Sequence, residues 1–323
     1  MSKKSIAAGI VAAVSLASSA VQAADYPERP IQMVVPWGAG GGTDAVARIL
    51  ASVLQEDLGQ PVNVVNRTGG SGVVGHSAIS TAEPDGYTIG LATVEITMMH
   101  WQGLTDLTFD DYDIIGIVNQ DAAGVMVSSE SEYQDIKALN EAITASPAGT
   151  FSASGTAQGG IWHVAQAGWA VAAGKGADHV KWVPSEGSAS AITDMVAGGV
   201  DIVTASLPEG RTMIEAGRIV PIATMGTERH PLYPEVPTLK EATGADWTLV
   251  AWRGVFAPKG LPDGVRSKLE AAVEKAFESK GYQEFMQSRG LGAVWLGGEN
   301  ARDFVAQSDA TFGEVLKAAG LAK

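Results

Sequence analysis

The chain has 323 residues, a formal charge of −14 at pH 7 and no cysteine. Without cysteine there can be no disulfide, thiolate nucleophile, cysteine-ligated metal or lipoprotein anchor. The acidity argues against nucleic-acid or anionic-membrane partners but not against a small anion, which responds to local dipoles more than to net charge; the length suits two domains of ordinary size.

The first element is a leader. In MSKKSIAAGIVAAVSLASSAVQA, Lys3 and Lys4 form a positive head, Ile6 to Leu16 an apolar stretch and Val21-Gln22-Ala23 a small-residue cleavage site. The apolar stretch is shorter than the roughly 20 residues a bilayer requires, so residues 1–23 are expected to be a removed signal peptide, and no later segment is apolar enough to span. Export points to the periplasm. Removal of the two leader lysines leaves the mature chain still more acidic.

Ile31 to Val35 then reads as a strand, and Val46, Ile49, Leu50, Val53, Leu54 and Leu58 recur at helical spacing. Gly59 and Pro61 stand where a helix cap and stop belong. PVNVVN (61–66) predicts a second strand, Val73 to Ala82 a second helix and Tyr87 to Thr93 a third strand. This βαβαβ order predicts a parallel sheet covered on both faces. The middle repeats the rhythm, with strands expected at FSAS (151–154), HVKWVP (179–184), DIVTAS (201–206) and IVPIATM (219–225) and helices at Ile161–Ala173 and Ala189–Val196. Two amphipathic helices close the chain, carrying Val265, Leu269, Val273 and Phe277, then Phe304, Val305, Phe312, Val315 and Leu316. The long apolar segments Ile114–Ser128 and Trp247–Pro258 are expected to cross between two α/β lobes. Lobe 1 would then be discontinuous, residues 24–124 and 246–323, with lobe 2 at residues 125–245.

The candidate site lies in glycine-rich loops between strands and helices. In PWGAGGGTD, the first strand ends near Pro36 and a helix begins near Thr43, so Trp37, Gly38, Ala39, Gly40, Gly41, Gly42, Thr43 and Asp44 stand at a carboxyl end of the sheet, where ligands of open α/β sheets bind. The first helical N–H groups have no partner within the helix and the helix dipole favours an anion beside them. Successive glycines let that anion approach the backbone. Asp44 reads as a first-turn cap. SASGTAQGGIWH supplies Ser154, Gly155, Thr156, Gly159 and Gly160 from the opposite lobe, with His163 expected to be packed or solvated. VPSEGSASA supplies Ser185, Glu186 and Ser188. The loop GGSGVVG matches G-x-G-x-x-G at Gly70, Gly72 and Gly75, with Glu95 twenty residues beyond, which on paper is a dinucleotide fingerprint. It follows the second strand rather than the first, and an exported protein lacks ready access to nicotinamide cofactor, so a structural turn is the stronger reading.

Catalytic patterns are missing. There is no G-x-S-x-G, no H-E-x-x-H, and the five histidines lack metal-ligand spacing. Asp110, Asp111 and Asp113 lack the spaced ligands of a calcium loop. No enzyme, cofactor or metal is expected.

In order along the chain, YPERPIQMVVPWGAGGGTDAVARILA, VNVVNRTGGSGVVG, EPDGYTIGLAT, FSASGTAQGG, HVKWVPSEGSAS, DMVAGGVDI, EAGRIVPIATMG, PEVPTLKEATG and WRGVFAPKGLP together resemble the substrate-binding proteins of tripartite tricarboxylate transporters, the TctC or Bug family. The resemblance covers nearly the whole mature chain. It implies a type II periplasmic binding-protein fold, two α/β lobes around a ligand cleft, capturing a small carboxylate for a permease of large and small membrane subunits. A monomer is expected. It also implies that Trp37 to Asp44 hold a carboxylate through backbone amides, faced by the loops at Ser154 to Gly160 and Ser185 to Ser188. Here Trp37 stands where many relatives have phenylalanine, and Ser185-Glu186 where many have a tyrosine-lysine pair. A carboxylate beside an anionic ligand costs about 4 kcal/mol at 4 Å with an effective dielectric near 20, so Glu186 is expected to point away or to meet a hydroxyl or amine. Trp252, before the return crossing, is expected to wall the pocket; for Trp162 and Trp182 core packing is the stronger reading. An exported nicotinamide oxidoreductase using Gly70 to Gly75 and a sensory receptor sharing the fold are the alternatives.

Overall fold

The computed structural model describes residues 26–323; the leader expected at residues 1–23 lies outside the described residues. The chain begins β1 (Ile31–Val35), α1 (Gly42–Leu58), β2 (Val62–Asn66), α2 (Val73–Ser80), β3 (Thr88–Thr93), β4 (Tyr112–Ala122) and β5 (Gly124–Ser128). It continues α3 (Ile136–Ala145), β6 (Ser152–Ser154), α4 (Ile161–Ala172), β7 (Lys181–Trp182), α5 (Ser188–Val196), β8 (Ile202–Ala205), α6 (Arg211–Glu215) and β9 (Ile219–Thr224). It closes with α7 (Leu239–Thr243), β10 (Val250–Pro258), α8 (Asp263–Glu278), α9 (Lys280–Arg289), β11 (Ala293–Gly297) and α10 (Gly298–Ala318).

These strands form two sheets, of order β11-β4-β10-β3-β1-β2 and β7-β6-β8-β5-β9. In the first, β1 pairs parallel with β2 and β3, as the βαβαβ reading requires. The other half is not parallel: β10 runs antiparallel to β3 and β4, and β11 antiparallel to β4. The apolar segments expected as crossings are therefore largely strands. β4 passes into β5 with only Ala123 between them, so one extended run serves both sheets, and the chain comes back through β10. The reason is backbone hydrogen bonding. A buried run such as Ile114–Val118 has no water to satisfy its N–H and C=O groups, and a ladder on each side does so.

Both sheets are covered. Val46, Ala47, Leu50, Ala51 and Leu54 of α1 pack with Val265, Leu269, Ala272 and Val273 of α8 over Ile31, Met33 and Val35. α1 ends where Gly59 turns left-handed at φ 68° and donates to the Gln55 carbonyl at 3.1 Å, a conformation that favours glycine. A second core runs without interruption from Val34, Ala92 and Ile117 of the first sheet to Val125, Val203 and Ile222 of the second. That shared core brings the carboxyl ends of β1 and β3 opposite those of β6, β7 and β8.

Candidate functional site

A cavity of about 30 Å³ lies between these strand ends. It is lined from the first sheet by Trp37, Gly38 and Gly41 to Thr43 after β1, by Thr93 to Glu95 at the end of β3, and by Ala251 to Arg253 on β10. From the second come Thr156, Ile161 and Trp162 after β6, Gly187 and Ser188 after β7, and Glu209 after β8. The N-termini of α1, α4 and α5 thus meet at one place, each with first-turn N–H groups that have no partner within the helix and with the positive end of its dipole. The space holds roughly two waters, so anything larger requires the two sheets to part.

The loop before α1 is braced from below and from across the gap. Asp44 folds back, accepting from the Gly40 amide and the Arg48 guanidinium at 2.9 Å and from Asn66 at 3.0 Å. Burial alone would raise the Asp44 pKa, but these bonds more than offset it and hold the carboxyl below its usual range. Asn66 also donates to the Trp37 carbonyl, and the Trp37 indole N–H donates to Thr93 Oγ1 at 3.1 Å. Across the gap, the Gly38 amide donates to the Glu186 carbonyl at 3.0 Å. A Cβ on Gly41 would stand 3.3 Å from Ser188 Oγ, which shows how closely the two loops approach.

Two buried carboxylates and one arginine dominate the electrostatics. Glu95 Oε1 accepts from the Ile161 amide at the start of α4 at 2.9 Å, while Oε2 takes the Thr93 hydroxyl. Behind Thr93 lies His76, whose Nδ1 meets the Gly72 carbonyl at 2.8 Å and whose Nε2 accepts from the Thr93 amide. Burial lowers the His76 pKa to about 4, so the ring is neutral, with its proton on Nδ1. Glu209 reciprocates from the second sheet: Oε1 accepts from the Gly42 amide at the start of α1 at 3.0 Å and from Arg253 Nη2 at 2.9 Å. Arg253 further donates through Nε to Thr43 Oγ1, and through Nη1 to Asn119 and Asp121. Burial pushes both glutamates above the ordinary carboxylate range, and the nearby Arg253 only partly counters this. The guanidinium itself, only 4% exposed, stays charged because Glu209 and Asp121 outweigh its desolvation.

Of the residues expected at the site, the cavity brings together Trp37, Gly38, Gly41, Gly42, Thr43, Thr156, Ser188 and Trp252. Ala39, Gly40, Asp44, Ser154, Gly155, Gly159, Gly160 and Ser185 are not in its lining and serve the loops that shape it. A Cβ on Gly160 would meet Thr156 Oγ1 at 2.5 Å, and one on Gly155 would meet Trp162 Cβ at 2.7 Å, so these glycines permit close packing rather than contact with the cavity. Glu186 is exposed and reaches the opposite loop only through its carbonyl. His163 is buried, accepts from the Gly159 amide at 3.0 Å and stacks near Trp182, as a packed histidine should. Trp182 donates to the Thr156 carbonyl and stays off the lining, whereas Trp162, read as core, reaches the cavity. The G-x-G-x-x-G loop is not in the lining either. A Cβ on Gly75 would lie 2.7 Å from the Arg67 carbonyl and Pro36 Cβ, so Gly75 lets α2 dock against the end of β1.

The sequence reading did not place Thr93, Glu209 or Arg253 at the site, and gave Glu95 a different role. Ser206-x-x-Glu209 is a recognisable capping box, with Glu209 Oε2 near the Ser206 amide at 3.3 Å. Its other oxygen, reaching α1, leaves no local signal. Arg253 adjoins Trp252 on β10, but a strand arginine is ordinarily solvated.

Comparison with known proteins identifies relatives of nearly the whole chain. The model of the tripartite tricarboxylate transporter family receptor matches residues 46–321. A Pseudomonas sp. protein named for the tcbD–tcbE intergenic region is 33% identical over 293 residues, spanning 90% of this chain and 86% of that protein. The periplasmic binding protein BugD superposes with a TM-score of 0.85 at 28% identity, over 92% of this chain and 100% of BugD. An R. palustris protein solved with adipate superposes with a TM-score of 0.84 at 26% identity, over 92% of this chain and 99% of that one.

Proposed function

Because the chain belongs to the tripartite tricarboxylate transporter receptor family and has the fold of the periplasmic binding proteins, we propose that it captures a small organic carboxylate between its two sheets and hands it to integral-membrane permease subunits. The protein works in the periplasm after loss of residues 1–23. Its lobes are residues 24–124 with 246–323, and residues 125–245. Ligand binding biases an open–closed equilibrium, and the permease reads the closed form. No bond is made or broken in the cleft.

The observation that carries this reading is the convergence of three helix N-termini, α1, α4 and α5, on one cavity without a lysine in its lining. Such a site recognises an oxyanion by oriented amides and hydroxyls, which need no reorganisation on binding. Trp37, Trp162 and Trp252 supply the apolar walls. An R. palustris neighbour solved with adipate, a small dicarboxylate, supports this choice of ligand class.

A thermal-shift screen of the mature protein against mono-, di- and tricarboxylates, with NAD(H) and NADP(H) beside them, tests the proposal. A ligand at 100 times its Kd adds about 2.7 kcal/mol of stability. A shift with carboxylates alone is expected. A shift with a nicotinamide nucleotide and none with any acid would overturn it.

A further inference from the structure

The G-x-G-x-x-G loop stays off the cavity lining but reaches the other half of the molecule. Ser71 Oγ donates to the Gln158 carbonyl, 87 residues away in the chain, at 2.8 Å. The next carbonyl, that of Gly159, accepts from Gln102 Nε2 at 2.9 Å, and the Ile161 amide donates to Glu95. The turn at residues 158–161, which leads into α4, is therefore gripped from the first sheet's half by three side chains. Of these three only Glu95 lines the cavity; Ser71 and Gln102 stand outside it.

The backbone is fitted to these contacts on both sides. Gly159 has a φ of 78°, and a Cβ there would overlap Gln102 Oε1, so the turn requires glycine at that place. Ser71 poses the opposite question. Apart from glycines it alone among the described residues has a positive φ, 58° with ψ 36°, in a loop where Gly69, Gly70 and Gly72 have positive φ as well. Glycine would hold that left-handed conformation with less strain. What serine adds is the hydroxyl on Gln158. Strain kept at one residue for the sake of a contact between two halves points to a function of that contact. The loop also backs onto the cavity wall, since a Cβ on Gly72 would stand 3.2 Å from Trp37 Cζ2.

Resting on the open–closed reading above, we propose that Ser71 and Gln102 form a catch that fastens on the turn before α4 and sets how long the cleft stays shut, and so how fast a bound solute leaves. Opening must break both hydrogen bonds. Because the catch is made only as the lobes meet, weakening it speeds release without slowing capture.

The chain has no cysteine, so Lys137→Cys on α3 and Lys268→Cys on α8, both at exposed positions, accept a dye pair that reports the approach of the lobes. Energy transfer is followed in the mature protein at pH 7, alone and with succinate, glutarate, adipate or citrate, and release is timed by stopped-flow dilution. Ser71→Gly relieves the strain and removes the hydroxyl. It is expected to leave the melting temperature unchanged or higher, to lower the shut fraction and to speed release about two- to ten-fold, with association no slower. Gln102→Met is expected to act in the same direction, and the double variant to release faster than either. A protein that is no less stable yet lets go sooner is a result misfolding cannot produce. A shut fraction and release rate unmoved by Ser71→Gly would overturn the catch and leave the receptor reading standing. A lowered shut fraction in a protein that binds none of the acids would uphold the catch and overturn the carboxylate reading. Dyes that never report a shut state, with or without acid, would overturn both.

Discussion

Gly42 offers a gentle probe of the contact between the sheets. It opens α1, and alanine is better tolerated in a helix than glycine, by up to about 1 kcal/mol in a helix interior. Within its own half of the molecule, Gly42→Ala is therefore neutral or mildly stabilising. Across the gap it is not. The added Cβ would stand 2.7 Å from Arg253 Nη2 and 2.9 Å from Glu209 Cδ, inside van der Waals contact. Both side chains are held by several bonds, so closure must displace the Gly42–Glu209 hydrogen bond. A hydrogen bond to a charged group contributes about 1.5–3 kcal/mol. If all of it is lost from the closed state, the apparent affinity falls about 10- to 150-fold. Titration of the variant with whichever carboxylate the unmodified protein binds best should show that loss, while the melting temperature of the unliganded protein falls by no more than a few degrees. Gly59→Ala is the control. Nothing lies near its Cβ, but its φ of 68° disfavours any side chain, so it should cost about 1 kcal/mol of stability and leave affinity untouched. A Gly42→Ala protein that binds within three-fold of the original would refute the reasoning, because the two sheets could not then close on Glu209 as described.

Arg253→Met leaves Glu209 and Asp121 buried without their cation and should cost about 3–5 kcal/mol, or roughly 5–10 °C in melting temperature. The deficit should depend on pH. Burial already raises the Glu209 pKa, and losing Arg253 raises it further. A carboxylate whose folded pKa lies above its unfolded value destabilises the fold at neutral pH and ceases to do so once protonated. Melting curves of the two proteins should therefore approach each other between pH 7.5 and pH 5; a constant gap would refute the charge argument. Asp113 behaves oppositely. Burial opposes its ionisation, but the Leu261 and Gly260 amides and Arg266 hold its pKa below the usual range. Its contribution is complete above the ordinary carboxylate pKa and is lost as pH falls through the depressed folded value. Asp113→Asn should cost about 1.5–3 kcal/mol at pH 7, and progressively less as the pH is lowered below the ordinary carboxylate pKa, measured by the same melting curves.

Local signals carried much of this protein. Apolar periodicity located α1, and Gly59 with Pro61 stopped it, because a left-handed cap and a missing N–H are properties of those residues alone. The strand–glycine–helix loops at Trp37–Asp44 and Ser185–Ser188 marked the ends where helix amides become available. The apolar runs Ile114–Ser128 and Trp247–Pro258 read as connections, since a run buried on both faces loses the two-residue alternation that identifies a strand. Their antiparallel pairing depends on which sheet each half joins, and that is decided by partners distant in the chain, β8 and β9 for one half and β10 and β11 for the other. Glu95 gives the sharpest instance. Its spacing from Gly75 fits a ribose-binding acid, yet the fold turns it toward the Ile161 amide of the other half.

The sequence by itself therefore determined the alternation of strands and helices, the glycine loops and their placement at strand ends, since each rests on the conformational limits and periodicity of neighbouring residues. Only the tertiary structure decided that Glu95, Glu209 and Arg253 share one buried cleft, because their meeting depends on pairings between residues such as Gly42 and Glu209 that lie far apart in the chain. A buried charge is stable only where distant partners compensate it, and no short stretch of sequence records which partners those will be.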